Sequence, residues 1–388
     1  VDESRNLVYF VGLRETPLER HLYVAPICPP RPHQVALLTT TGHSCTVDID
    51  QDCTVAVITT SNIGSVPVTR VFRLIHSPQP QLLAHGTLME RTPSETSDTR
   101  SFNGSWDSRS TDEDCVEATL LVRERSLSAL EVPPPQIYSC RLSCGALAYC
   151  TLWRCANGPS RAPTVLHVYG GPEVQTVTNS YKGIRQLRMH MLAARGFNVV
   201  AVDSRGSKHR GRAWEAAIKG KLGQVELDDQ VEVLQWLAKE TGCIDMERVA
   251  IHGWSYGGYL SLLGLATRPN IFRVCVAGAP VTCWRLYDTA YTERYMGLPH
   301  HHHHAYTRAS VLAHAPFFPD QEGRLLIIHG LADENVHFCH TAALLAELVR
   351  LGKPHRVQVY PGERHSLRAM HAAKHYEATL LHFLHENL

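Results

Sequence analysis

The sequence predicts an α/β fold, a doubly wound and mostly parallel sheet, preceded by short antiparallel strands of β-propeller type. Two observations carry this. From Gln136 onward short apolar runs alternate with helical patterns, as strand–helix units do in parallel sheets. Before residue 80, apolar runs recur with turns between them at blade-like spacing.

The elements follow in order. Residues 6–12, 21–25, 34–38 and 53–58 read as blade strands. Isolated blades bury their faces poorly, so further blades are expected upstream of Val1, and the true amino terminus is expected to lie outside this stretch. Residues 1–82 are therefore expected to be partial propeller blades. Residues 83–132 form an expected flexible polar insertion, rich in Ser, Thr, Arg and acids and poor in apolar residues over 92–114. Pro133-Pro134-Pro135 opens the α/β domain, residues 133–388. Two introductory strands cover 136–152. Further strands are expected at 164–169, 197–202, 248–252, 273–278, 324–329 and 356–360, with helices near 183–195, 225–239, 257–267, 339–351 and 370–385. Right-handed crossovers would put helices on both faces.

Gly253-Trp254-Ser255-Tyr256-Gly257-Gly258 joins a strand to a helix. In a G-x-S-x-G turn the glycines flank a strained corner and the serine Oγ is pushed out at the carboxyl end of the sheet. The next backbone N–H points at a developing oxyanion. The plain alternative is a glycine-rich turn packing a helix on a sheet. A serine needs a base to take its proton and a third group to orient that base. The α/β-hydrolase order is Ser, acid, His. Asp333 follows the strand at 324–329, and His365 follows the strand at 356–360. Both then gather with Ser255 at the carboxyl ends of parallel strands. Glu334 is the rival acid; Asp333 comes first in its turn. His252 and His329 end strands and are expected to satisfy local backbone groups. Tyr169-Gly170-Gly171-Pro172 follows another strand, where this fold supplies a second oxyanion donor. On the residues alone Tyr169 is either that donor or a rim tyrosine. Asp203-Ser204-Arg205-Gly206-Ser207 reads as structural, with Arg205 paired to nearby acids.

Composition is ordinary for a globular chain, with 44% hydrophobic and 19% charged residues. Net charge is +1 and basic runs are missing, which argues against nucleic acid and anionic membrane as partners. No apolar stretch approaches the ~20 residues of a membrane span. The twelve cysteines are scattered as in a reducing compartment. Cys140, Cys144, Cys150 and Cys155 lack the paired spacing of a zinc site, so no metal or cofactor is expected. Asn103-Gly104-Ser105 is a glycosylation sequon that a cytosolic protein would leave silent. His300 to His304 reads as a variable surface loop.

Several long motifs together resemble the dipeptidyl peptidase IV family of serine peptidases, in the prolyl oligopeptidase clan, and most of all its cytosolic 8/9-like branch. They are Tyr169 to Gln175, Asp203 to Ser207, Gly253 to Tyr259, Ala279 to Thr282, Tyr287 to Gly297, His329 to Phe338, Gly352 to Pro354 and Glu363 to Ser366. The likeness runs from about Pro133 to Leu388 and more loosely over 1–80. It implies an α/β-hydrolase with Ser255, Asp333 and His365 as triad, and Tyr169 with the Tyr256 N–H as oxyanion donors. It implies a proline pocket of Val281, Trp284, Tyr287, Tyr291 and Val336, and Asn335 on the substrate carbonyl. Without the resemblance, Tyr287, Tyr291 and Tyr295 read as a helical stripe of core residues. It further implies release of X-Pro or X-Ala dipeptides from peptides with a free amino terminus, a homodimer contacting through the hydrolase region, and a cytoplasmic location. The family's Glu-Glu anchor for the substrate amino group has no counterpart here and is expected upstream. The alternatives are a prolyl endopeptidase or acylaminoacyl-peptidase, or a catalytically impaired scaffold.

Overall fold

The computed structural model describes residues 1–27, 35–74, 118–120, 133–156 and 158–388. It divides into two units: Val1–Val132 with Thr178–Tyr181, and Pro133–Val177 with Lys182–Leu388.

The first unit holds two antiparallel sheets. One orders β1 (Leu7–Gly12), β2 (His21–Pro26) and β3 (Ala36–Leu37); the other orders β4 (Ser44–Ile49), β5 (Val55–Asn62), β6 (Ser65–Arg73) and β7 (Ala118–Leu120). Leu22, Cys45, Ala56, Ile58 and Leu74 form its core. β4 and β6 were not anticipated, because their apolar residues alternate with Ser, Thr and Arg instead of forming a run. Most of the expected insertion at 83–132, with the Asn103 sequon, lies outside the described residues; within it, β7 pairs with β6.

The second unit runs β8 (Gln136–Arg141), β9 (Leu147–Trp153), β10 (Ala162–Val168), α1 (Leu187–Ala194), β11 (Asn198–Asp203), α2 (Arg212–Glu215), α3 (Val225–Thr241) and β12 (Ile244–Trp254). It continues α4 (Tyr256–Thr267), β13 (Val274–Gly278), α5 (Thr289–Met296), α6 (His303–Ala309), β14 (Leu325–Gly330), α7 (Cys339–Arg350), β15 (Arg356–Tyr360) and α8 (Met370–Asn387). The eight strands form one sheet in the order β15-β14-β13-β12-β10-β11-β9-β8. Its strands from β10 to β15 pair in parallel; β9 and β8 join antiparallel.

Side chains alternate across this sheet because successive residues of a strand face opposite ways. Leu166, Ile251, Cys275 and Ile327 join Leu234, Leu262 and Leu344 on one face. Val165, Ala250, Val276 and Leu326 join Leu192, Leu380 and Phe383 on the other. Thus α3, α4 and α7 cover one face and α1 and α8 the other, the doubly wound arrangement the sequence predicts. Strands covered on both sides read as unbroken apolar runs, which is why they were legible. After β10 the chain goes to β11 on one side and then to β12 on the other. That reversal opens a crevice at the carboxyl ends of β10 and β12, where such sheets bind ligands.

Two expectations need correction. The histidine run is not all loop: His303 opens α6, which Tyr306 and Ala309 anchor in the core. The tyrosine stripe is not one helix either. Tyr287 precedes α5, whose N-cap Asp288 accepts the Tyr291 N–H, so only Tyr291 and Tyr295 share its face. No helix of the described residues is long and apolar enough to cross a membrane.

Candidate active site

Ser255 stands between β12 and α4 with φ 61° and ψ −117°, a left-handed backbone that a non-glycine residue adopts only under tertiary constraint. The constraint is visible. The Ser255 N–H donates to Gly278 O at 2.8 Å, and its carbonyl receives the Tyr259 N–H at 3.0 Å. A Cβ on Gly257 would lie 2.1 Å from Val168 O, and one on Gly253 2.4 Å from the same oxygen. The corner forms only because β10 passes bare backbone against bare backbone. Tyr256 is the first residue of α4, so its N–H is one of the donors a helix start leaves without an intrahelical partner.

Asp333 lies in the turn after β14 and is buried. Its Oδ1 accepts the N–H groups of Asn335 and Val336, each at 2.9 Å. Its Oδ2 meets His365 Nδ1 at 2.8 Å and His329 Nε2 at 3.2 Å. Burial alone would raise this carboxyl. The hydrogen bonds from His329 and His365 outweigh it and hold Asp333 well below the usual range. Of the two candidate acids, Asp333 is the one on the imidazole. Glu334 is exposed and instead accepts the His365 backbone N–H at 3.3 Å.

The two loops that carry Asp333 and His365 touch at Gly330, where a Cβ would sit 2.4 Å from Glu363 O. Ala332 N–H donates to that same carbonyl at 3.0 Å. Trp254 Nε1 donates to His365 O at 2.7 Å, tying the histidine loop to the residue before the serine. Sequence reasoning named neither Trp254 nor His329 for such duties. The fully buried His329 ring donates from Nε2 to Val336 O at 2.8 Å, since a carbonyl only accepts; its Nδ1 lies 2.7 Å from Thr341 Oγ1. His252 differs from expectation: its partners are the side chains of His167 and Tyr376, 3.2 and 2.6 Å away.

Ser255 and His365 line one cavity of about 360 Å³, together with Tyr169, Tyr256, Val281, Trp284, Tyr287, Tyr291 and Asn335. Among the described residues the hydrogen bond made by the His365 ring is the one to Asp333; serine–imidazole contacts often tighten only around substrate. Trp284 and Tyr291 stack at 6.1 Å with planes 14° apart, and Tyr287 meets both edge-on. Tyr287 donates to Asn335 Oδ1 at 2.7 Å; burial pushes its phenol up to about 12. Val336 does not line this cavity: it is fully buried, with its N–H on Asp333. Arg205 binds Asp229 through two nitrogens, the shorter contact 2.6 Å, and its own N–H joins at 2.8 Å.

Among the described residues, no group of three or more His, Cys, Asp or Glu is arranged to hold a metal. The arrangement therefore offers a hydroxyl, an imidazole held by a buried carboxylate, and an aromatic slot beside them.

Residues 184–388 match the sequence profile of the Prolyl oligopeptidase family. Over the whole chain the sequence is 44% identical to dipeptidyl peptidase 8 of Homo sapiens and to that of Mus musculus, covering 40% of each. It is 30% identical to the probable dipeptidyl-aminopeptidase B of Arthroderma otae over 96% of this chain and 37% of that protein. The chain thus spans about two fifths of the length of these relatives.

Proposed function

Since the chain belongs to the prolyl oligopeptidase family, we propose that its α/β-hydrolase unit carries a serine peptidase site that releases X-Pro and X-Ala dipeptides from peptide amino termini. The observation that carries this reading is the His365 Nδ1–Asp333 Oδ2 contact of 2.8 Å beside a cavity that His365 shares with Ser255.

Ser255 Oγ attacks the carbonyl carbon while His365 Nε2 takes its proton. The negative charge on Asp333 fixes the Nδ1–H tautomer and stabilises the imidazolium. The carbonyl oxygen, now an oxyanion, is received by the Tyr256 N–H and the Tyr169 hydroxyl. His365 returns the proton to the leaving amine and an acyl-enzyme remains. Water then repeats the sequence in reverse roles. The residue before the cut packs against Trp284, Tyr287 and Tyr291. A proline ring is compact and apolar and offers no N–H that such walls would strand, and alanine fits as a smaller occupant. Asn335, which lines the same cavity, meets the substrate backbone carbonyl in this reading.

The dipeptidyl peptidase names of the relatives support the exopeptidase form of this reading. A homodimer and a cytoplasmic location belong to the same proposal. A fluorophosphonate probe should label the parent protein and leave Ser255→Ala unlabelled; labelling that survives the substitution removes Ser255 as nucleophile. Gly-Pro-anilide should be cleaved and its amino-blocked form spared. Equal rates on the two would turn the reading toward an endopeptidase.

A further inference from the structure

Glu226 is a carboxylate that the mechanism above does not use, yet it lies directly beneath it. It sits in the first turn of α3 and is fully buried. Its Oε1 accepts the Tyr256 phenol O–H and the Gly223 N–H, the latter at 3.1 Å. Among the described residues Oε2 has no hydrogen-bond partner. The Gly223 contact is ordinary helix-start capping. The Tyr256 contact is not, because it reaches a different helix, at the residue whose backbone N–H faces the oxyanion.

The same side chain underlies the other donor. A Cβ on Gly170 would lie 3.6 Å from Glu226 Cβ. One on Gly171 would lie 2.8 Å from the rings of both Tyr169 and Tyr256, so bare backbone is wedged between them. Resting on the reading of Ser255 as nucleophile, we propose that Glu226 is a positioning residue for the oxyanion site. Its carboxylate holds the Tyr256 phenol, fixing the Tyr256 N–H on one side and the bed of the Tyr169-Gly170-Gly171 turn on the other.

The hold depends on pH. Burial raises the Glu226 carboxyl to about 7, against the opposing pull of the Tyr256 hydrogen bond. The groups that face it are the Tyr256 and Tyr259 phenols of α4, Tyr291 of α5, and Asp229 one turn along α3, itself bound to Arg205. All three phenols stay protonated, since burial raises each of them. Unlike these phenols, Glu226 changes charge near neutrality. Above its pKa it is a carboxylate and a strong acceptor; below it, a neutral acid and a weaker one.

The test compares the parent with Glu226→Gln, Glu226→Ala and Tyr256→Phe between pH 5.5 and 9. Two rates are read: labelling by a fluorophosphonate, and kcat and KM for Gly-Pro-anilide. Glu226→Gln keeps an acceptor and should lower kcat only about threefold to tenfold above pH 7, with KM unchanged and one ionisation gone from the acid limb. Glu226→Ala and Tyr256→Phe should each cost about 10- to 100-fold in kcat, with the double variant no worse than the poorer single. If Glu226→Ala fails to fold by circular dichroism, the other two variants decide. Parent-like kcat and pH profiles in them, or losses confined to KM, overturn the proposal while leaving Ser255 in place. A parent that takes up no fluorophosphonate removes the nucleophile, and the role of Glu226 with it.

Discussion

Replacing Asp333 by Asn should silence the site without unfolding it, and the structure dictates how. Oδ1 accepts two backbone N–H groups, from Asn335 and Val336. In the variant an amide nitrogen there would face two donors, so the amide oxygen keeps that place. The NH₂ group then takes the position of Oδ2, 2.8 Å from His365 Nδ1 and 3.2 Å from His329 Nε2. It can only donate. His365 Nδ1 must accept, so the ring proton moves to Nε2, and the nitrogen meant for the serine proton is already occupied. The charge that balanced the imidazolium is lost as well. Comparable acid-to-amide changes in serine peptidases cost about 10⁴-fold in kcat, or about 5.4 kcal/mol of barrier. KM for Gly-Pro-anilide should stay within about threefold, because the aromatic walls are untouched. Steady-state kinetics on the folded variant, checked by circular dichroism and by its rate of fluorophosphonate labelling, decide the matter. A folded Asp333→Asn protein that keeps more than a tenth of parental kcat would refute the orienting role of this carboxylate.

Further outcomes follow from the same geometry. Gly257→Ala drives a methyl to 2.1 Å from Val168 O, and since that neighbour is backbone in a central strand, at least about 3 kcal/mol should be lost. Thermal melting should fall by about 6–12 °C; a drop under about 1 °C would mean that β10 and the elbow are not in contact. Glu226→Gln should stabilise the fold at alkaline pH. The folded carboxyl titrates at about 7 against an ordinary 4.5, so the folded state holds its proton more tightly. Stability falls as pH rises between those values and stays lower above. At about 1.4 kcal/mol per pH unit this amounts to about 3.5 kcal/mol. The variant's melting advantage should be full at pH 8 and gone by about pH 4.5. An advantage that does not shrink on acidification would show that the buried charge is not its source.

Much of the candidate site was readable along the chain because each candidate residue follows a strand of the large sheet. The runs ending at Val168 and Gly330 are mostly apolar and the edge strand ending at Tyr360 alternates Val with Arg and Gln, so the turns after them stand out, and Tyr169, Asp333 and His365 with them. The choice of Asp333 over Glu334 rested on position in the turn and on the family resemblance. The structure gives its physical content: one carboxylate is enclosed by two N–H groups and two imidazoles, the other reaches a backbone N–H at the surface. Val336 was assigned to the pocket and lies instead in the core beside Asp333, because the turn that frees Asn335 folds the next residue inward. Glu226 went unread, and His329 was read only as satisfying local backbone groups, which its bond to Val336 O does, without its contact to Asp333. An acid in the first turn of a helix and a histidine at a strand end are ordinary in sequence, and burial is a property of what packs around them.

The order of strands and helices and the identity of the catalytic candidates are legible locally, from apolar periodicity and from residues small enough to share a tight turn, whereas the strained serine corner is held by β10 and β13. The partners of each buried polar group are not. Asp333 meets His365, Trp254 meets the His365 carbonyl, and Glu226 meets Tyr256 only when elements from distant parts of the chain stack side by side. In that low-dielectric interior a polar atom must find a partner or bear a desolvation cost. Only the three-dimensional packing settles which partner it finds.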